Sequence, residues 1–295
     1  MRFLDNVLQG FIDNAGTDFA RATYAAMRER SVGLGVMGFH SFLQANGIPL
    51  ESVMAKVWNK KMFKHIRGQC DEASTSLAAE RGACPDAADF GVAERFSNKL
   101  AIAPTASISI ICGGASPGIE PSAANVYNHK TLSGSFVVRN PYLEKLLEQK
   151  GKNDEDTWTS VTTSQGSVQH LDCLDDHEKA VFKTAFEIDQ RWLVEHAADR
   201  TPFICQSQSL NLFLPADVHK RDLHQIHMMA WKRGVKSLYY CRSLSIQRAE
   251  TVAGEALAAP LGDHGLSAPR TDVPSPLATG IPAQSNDYEE CLSCQ

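Results

Sequence analysis

Residues 235–243 read VKSLYYCRS. Valine, leucine and two tyrosines suit a pleated surface, so the stretch is expected to be a strand. Gly234 closes a helix just before it, and Arg242 and Ser243 mark its exit. Upstream, a helix is expected from about Asp217 to Arg233, and before it a strand, FICQSQSLNLFL, from Phe203 to Leu214. Strand, helix and strand in that order form a βαβ unit, which requires parallel strands in a sheet covered by helices. The class is therefore α/β.

Tyr239 and Tyr240 are neighbours. On a regular strand adjacent side chains point to opposite faces. Either one tyrosine belongs to the core and the other to the surface, or the backbone is irregular and both phenols share one site. The pair gains meaning only if other parts of the chain converge on it.

Composition excludes several classes. The 295 residues allow one large or two ordinary domains, and 43% hydrophobic residues can bury a sizeable core. A net charge of −5 without a basic stripe argues against a nucleic-acid partner. The apolar stretch from Leu100 to Glu120 is interrupted by Pro104, Gly113, Gly114, Pro117 and Gly118, so it reads as strand, loop and short helix and not as a membrane span. Met1 to Gly10 lack the pattern of a signal peptide. Cysteines stand at 70, 84, 112, 173, 205, 241, 291 and 294, and only the last two are closely spaced. That usage supports neither a disulfide framework nor a four-cysteine zinc site, and a reducing cytoplasm is the simplest setting.

Most of the remaining pattern is helical. The first thirty residues read as two helices, with Phe3, Leu4, Val7, Leu8 and Phe11 at helical spacing. The chain thus opens inside an apolar helix, which hints at a missing upstream part. Gly33-Leu34-Gly35-Val36-Met37-Gly38 matches G-x-G-x-x-G, but the preceding ARATYAAMRERS looks helical where a dinucleotide site needs a strand. The plainer reading is a helix whose glycines permit close packing, ending at Gly47. Leu50 to Glu80 is helical again, with Met54, Val57, Trp58, Met62 and Ile66 on one side, and residues 175–200 form a further helix broken by Thr201-Pro202.

Two other stretches carry chemistry. In Leu100 to Ile110, LAIAPTASISI, an apolar strand ends at Pro104 and a helix is expected to begin at Thr105. Its unpaired first-turn N–H groups, with the Thr105 and Ser107 hydroxyls, suit an anion such as phosphate; a plain helix cap is the other reading. Ser116 to Pro121, SPGIEP, is a turn that places Glu120 in a loop. After Glu250 the chain becomes rich in Ala, Pro, Gly and Ser, a linker that ends in Cys291-Leu-Ser-Cys294. Such a pair exchanges readily with other thiols, and half of a zinc site is the alternative. The linker from Ala253 to Asp287 has 35 residues, a root-mean-square reach of roughly 30–35 Å.

Taken together, SVGLGVMGF, LAIAPTAS, SPGIEP, TLSGSFVVRNPYLE, QSQSLNLF, GVKSLYYCRS and the CxxC tail resemble the C-terminal part of the large subunit of class I (Ia-like) ribonucleoside-diphosphate reductase over nearly the whole chain. The resemblance implies the C-terminal portion of a ten-stranded α/β barrel, incomplete on its own, over residues 1–250, and a disordered tail over 251–295. It implies that Pro104, Thr105, Ala106, Ser107 and Ile108 bind the substrate diphosphate. Tyr239 and Tyr240 are implied to relay a radical from a metal-containing small subunit, with Tyr239 nearer the active site. Cys291 and Cys294 are implied to re-reduce the active-site disulfide and to be reduced by thioredoxin or glutaredoxin. No cofactor or metal is expected on this chain, and neither a membrane nor a nucleic acid is an expected partner.

The family's radical cysteine lies in an asparagine-x-cysteine-x-glutamate loop, and no such motif occurs here. The substrate-reducing cysteines and the effector sites are also expected on a separate N-terminal polypeptide. Two readings follow: one piece of a split reductase, or an inactive fragment acting at most as a thiol-exchange or binding module.

Overall fold

A ladder of parallel backbone hydrogen bonds runs through four extended segments. The Leu34 N–H donates to the Lys99 carbonyl at 2.8 Å and the Ala101 N–H to the Leu34 carbonyl at 3.1 Å. On the far side of residues 98–102, the Ile102 N–H donates to Ser207 O at 3.1 Å and the Ser209 N–H to Ile102 O at 2.9 Å. Residues 206–215 then pair with 239–244, so the order in the sheet is the order in the chain. Among the described residues no backbone bond joins the first segment to the last, and the sheet is an open portion of an α/β barrel. The structure, a computed structural model, describes residues 1–131 and 134–244. The tail from residue 251, with Cys291 and Cys294, lies outside the described residues.

The helices are α1 (Arg2–Asn14), α2 (Ala20–Glu29), α3 (Phe39–Ala45), α4 (Val53–Arg81), α5 (Pro85–Asp89) and α6 (Ala106–Ile111), then α7 (Pro141–Gln149), α8 (Glu155–Thr163), α9 (Asp176–Val181), α10 (Gln190–Arg200) and α11 (Lys220–Lys232). The strands are β1 (Val126–Thr131) and β2 (Gly134–Arg139), an antiparallel hairpin, and β3 (Leu212–Pro215) and β4 (Cys241–Leu244), a parallel pair. Phe39, Leu43 and Phe63 from α3 and α4 pack with Leu100, Ile102, Leu210 and Phe213 of the sheet and with Leu193 and Ala197 of α10. Those side chains are buried together, which is the main driving force for the helix-on-sheet layer. Trp158, Leu143, Leu147 and Val161 centre a second cluster under α7–α9.

Several expectations are corrected. Gly33–Met37 is extended and not helical: it forms the edge of the sheet, and α3 starts only after Gly38, whose φ is +79°. The close-packing role of the glycines survives, because a Cβ on Gly35 would stand 2.7 Å from the Ala101 carbonyl oxygen. The helix expected over 175–200 is two helices, since Asp175 caps α9 with a capping box and Asp189 caps α10 separately. In α4 the buried face is Ala55, Asn59, Phe63, Cys70, Ser74 and Leu77, while Met54 and Val57 are exposed. In α1 the apolar stripe of Phe3, Val7 and Phe11 faces outward and Asp5 is the buried residue. Burial alone would push the Asp5 carboxyl up, but hydrogen bonds from Arg30, Arg95 and Arg81 hold it below the usual carboxylate range. Among the described residues no helix is long and apolar enough to cross a membrane.

Candidate functional site

The strand 98–102 ends where Pro104 can no longer donate to the ladder. Thr105 follows with φ +54°, a left-handed conformation that costs a non-glycine residue energy. Its hydroxyl oxygen accepts the Gly118 N–H at 2.7 Å, which ties the loop to the turn at 116–121. Gly118 has to be small: its φ is +48°, and a Cβ would stand 3.0 Å from the Ala103 carbonyl. Helix α6 then begins at Ala106 with no side chain capping it. Among the described residues no side chain caps the N–H groups of its first turn, which lies beside the exposed Ser107 and Ile108. The turn lies where the sequence placed it, and the Thr105 hydroxyl, whose oxygen accepts from Gly118, keeps its own O–H to donate.

The tyrosine segment is not the regular strand expected over 235–243: strand geometry begins only at Cys241. In a regular parallel ladder the residue that donates to Leu210 O also accepts from Leu212 N. Here the Tyr239 N–H donates to Leu210 O at 2.9 Å, whereas Leu212 N–H donates to Tyr240 O at 2.9 Å. Two residues, Tyr239 and Tyr240, thus oppose the single residue Asn211, which is the pattern of a β-bulge. The slip brings the two rings together, with centroids 4.1 Å apart and planes inclined at 52°. Both are exposed, at 45% and 47%. The two rings are in contact, as the irregular-backbone alternative required.

Two buried residues beside the pair carry no signal in the sequence except their place in SPGIEP and QSQSLNLF. Asn211 is fully buried, and its side-chain Oδ1 accepts the Tyr240 N–H at 3.0 Å. Glu120, 5% exposed, accepts the Asn211 N–H through Oε1 at 3.2 Å. Burial pushes the Glu120 carboxyl above its ordinary range, while its hydrogen bonds with Asn211 and the positive charge of Arg242 pull it part of the way back. Among the described residues no group of three or more His, Cys, Asp or Glu side chains is placed to hold a metal ion. Cys291 and Cys294 lie outside the described residues, so the site holds the loop and the tyrosine pair.

A parallel sheet with helices packed on it, a left-handed turn at the carboxyl end of one strand and a bulged tyrosine pair two strands away define an α/β protein of barrel type. The chain belongs to the ribonucleotide reductase barrel-domain family, which it matches over residues 1–94 and 86–241. It is 47% identical over 257 residues to a ribonucleoside-diphosphate reductase large subunit of Invertebrate iridescent virus 6, covering 86% of this chain and 27% of that protein. It is 33% identical to a large subunit of Danio rerio, covering 73% of this chain and 31% of that one. Among solved structures it is similar to an Actinobacillus ureae class Id ribonucleotide reductase alpha subunit, with a TM-score of 0.77, 39% identity, and coverage of 84% of this chain and 46% of that chain. The chain thus spans less than half the length of each of these relatives.

Proposed function

We propose that this chain works as the C-terminal part of a ribonucleoside-diphosphate reductase large subunit, an oxidoreductase that converts ribonucleoside diphosphates to deoxyribonucleoside diphosphates. The ring contact at 4.1 Å between Tyr239 and Tyr240 carries the reading. A phenol gives up an electron and its proton together, so two phenols in contact pass a hole from one to the other. In this reading Tyr240 faces a metal-containing small subunit that supplies the radical, and Tyr239 faces the loop with the radical cysteine. The N–H groups at the start of α6 and the Ser107 hydroxyl grip the substrate diphosphate between Pro104 and Ile108. Cys291 and Cys294 reduce the active-site disulfide by thiol exchange and receive two electrons from thioredoxin or glutaredoxin, as a reducing cytoplasm allows. The thiyl chemistry and the effector sites belong to the N-terminal part of the large subunit.

Phenylalanine keeps the ring and its packing but has no O–H to lose. In the reconstituted enzyme, Tyr239→Phe and Tyr240→Phe should each abolish turnover. Stability should change by no more than one hydrogen bond, about 0.5–1.5 kcal/mol, and diphosphate affinity should stay unchanged. Near-normal turnover in either variant, with melting temperature and affinity intact, would return the pair to a packing role and remove the relay from this chain.

A further inference from the structure

The two tyrosine rings are nearly half exposed, so burial does not fix them. The backbone has to hold the bulge that brings them together. A bulge places one extra N–H against the neighbouring strand, and here that group is the Tyr240 N–H. A side-chain carboxamide oxygen and not a main-chain carbonyl accepts from it: Asn211 Oδ1, at 3.0 Å.

Asn211 itself sits where its other neighbour has left the sheet. Residues 98–102 pair with 206–209 and then turn off at Pro104. The Asn211 N–H, which would otherwise point at an absent strand, meets the buried Glu120 carboxylate at 3.2 Å. Glu120 is carried by the same turn whose Gly118 N–H rests on the Thr105 hydroxyl. One short chain of contacts therefore links the α6 loop to the tyrosine bulge: Thr105, Gly118, Glu120, Asn211, Tyr240.

We propose that Asn211 and Glu120 are positioning residues that hold the tyrosine bulge in register with the loop at Pro104–Ile108. This rests on the relay reading for its consequence in turnover, but its geometry stands without it. Asn211 supplies the acceptor that keeps both rings on one side, and Glu120 fixes Asn211 through the main chain.

The test uses the full chain with ring-labelled tyrosine, read by nuclear magnetic resonance. Contacting rings shift one another's resonances. Asn211→Leu, close in shape but without an acceptor, should move the Tyr239 and Tyr240 ring signals toward those of independent rings. In the reconstituted enzyme the same change should lower kcat about 10-fold to 100-fold, as a misplacement of reacting groups does, with KM for the nucleoside diphosphate unaltered. Glu120→Leu should lose the ring signals in the same way, and Glu120→Gln, which keeps an acceptor oxygen, should restore them. If Asn211→Leu does not fold, Asn211→Ser is too short to reach Tyr240 and should give the same shift. Unchanged ring signals in a folded Asn211 variant, with only a lower melting temperature, would overturn the proposal. That result differs from failure of the relay, which shows as retained turnover in the phenylalanine variants while the Asn211 effect on ring signals remains.

Discussion

The loop at Pro104–Ile108 and the pair at Tyr239–Tyr240 stand on two strands of one sheet with the 206–215 strand between them, and they are built in opposite ways. The loop is a backbone device. Its shape comes from a left-handed Thr105, an uncapped six-residue helix and a glycine that no side chain can replace without strain. The pair is a side-chain device, and its backbone matters only because a one-residue slip brings two rings to 4.1 Å. Changes of φ at Thr105 or Gly118 should therefore damage the loop and leave the pair, whereas removal of the Asn211 side-chain oxygen should do the reverse. Glu120 and Asn211 link the two devices.

Acid gives the largest separation of the two. His40 is fully buried, and its Nδ1 accepts the Ser122 N–H at 3.0 Å just beyond the turn that supports the loop. Burial pushes its pKa down to about 4. Burial, aided by the charge of Arg200, does the same to His196, also to about 4. Both are neutral in the folded chain, and the unfolded chain takes up protons first. Stability should be level above pH 6.5 and fall as pH drops toward 4, by about 3 kcal/mol for each histidine. Denaturant melts across that window check this, and His40→Gln should remove about half the slope. Diphosphate affinity should weaken in the same window before the ring contact does. A flat stability curve between pH 6.5 and 4 would contradict the buried neutral histidines.

Gly118→Ala comes next. It forces a Cβ into a left-handed position 3.0 Å from the Ala103 carbonyl, and should cost about 1–3 kcal/mol of stability. Diphosphate binding, measured by calorimetry in the reconstituted enzyme, should weaken while the tyrosine ring signals stay. Loss of the ring contact in this variant would mean that the loop and the pair are one unit. The smallest effect belongs to Ser107→Ala. Its side chain is exposed, so stability should hold, and diphosphate affinity should fall by about 0.5–1.5 kcal/mol, the worth of one hydrogen bond. No change in affinity would leave binding to the α6 backbone alone.

Much of this was legible in the sequence, and the failures have a common cause. Local chemistry read well: the strand ending at Pro104, the helix after Thr105 and the stop at Gly234, whose φ is +75°. The βαβ order gave the parallel pair of β3 and β4. Orientation read poorly, because it depends on partners distant in sequence. The stripe on α1 looks like a core face, yet Asp5 is turned inward by arginines 25, 76 and 90 residues away. GLGVMG resembles a helix until the Ala101 carbonyl requires a bare Gly35 beside it. The meeting of Tyr239 and Tyr240 could be posed as an alternative but not decided, since whether two residues oppose one depends on the neighbouring strand and not on the tyrosines alone.

The central proposal is that this chain supplies the diphosphate loop and the tyrosine relay, and that the radical cysteine lies in the N-terminal part of the large subunit. Formation of deoxyribonucleoside diphosphate measures it directly. The chain would be combined with a small subunit and thioredoxin, with and without an N-terminal large-subunit polypeptide that carries the radical cysteine. The account predicts product only when all the components are present. Product formed without the N-terminal polypeptide, or none from the complete mixture, would contradict it.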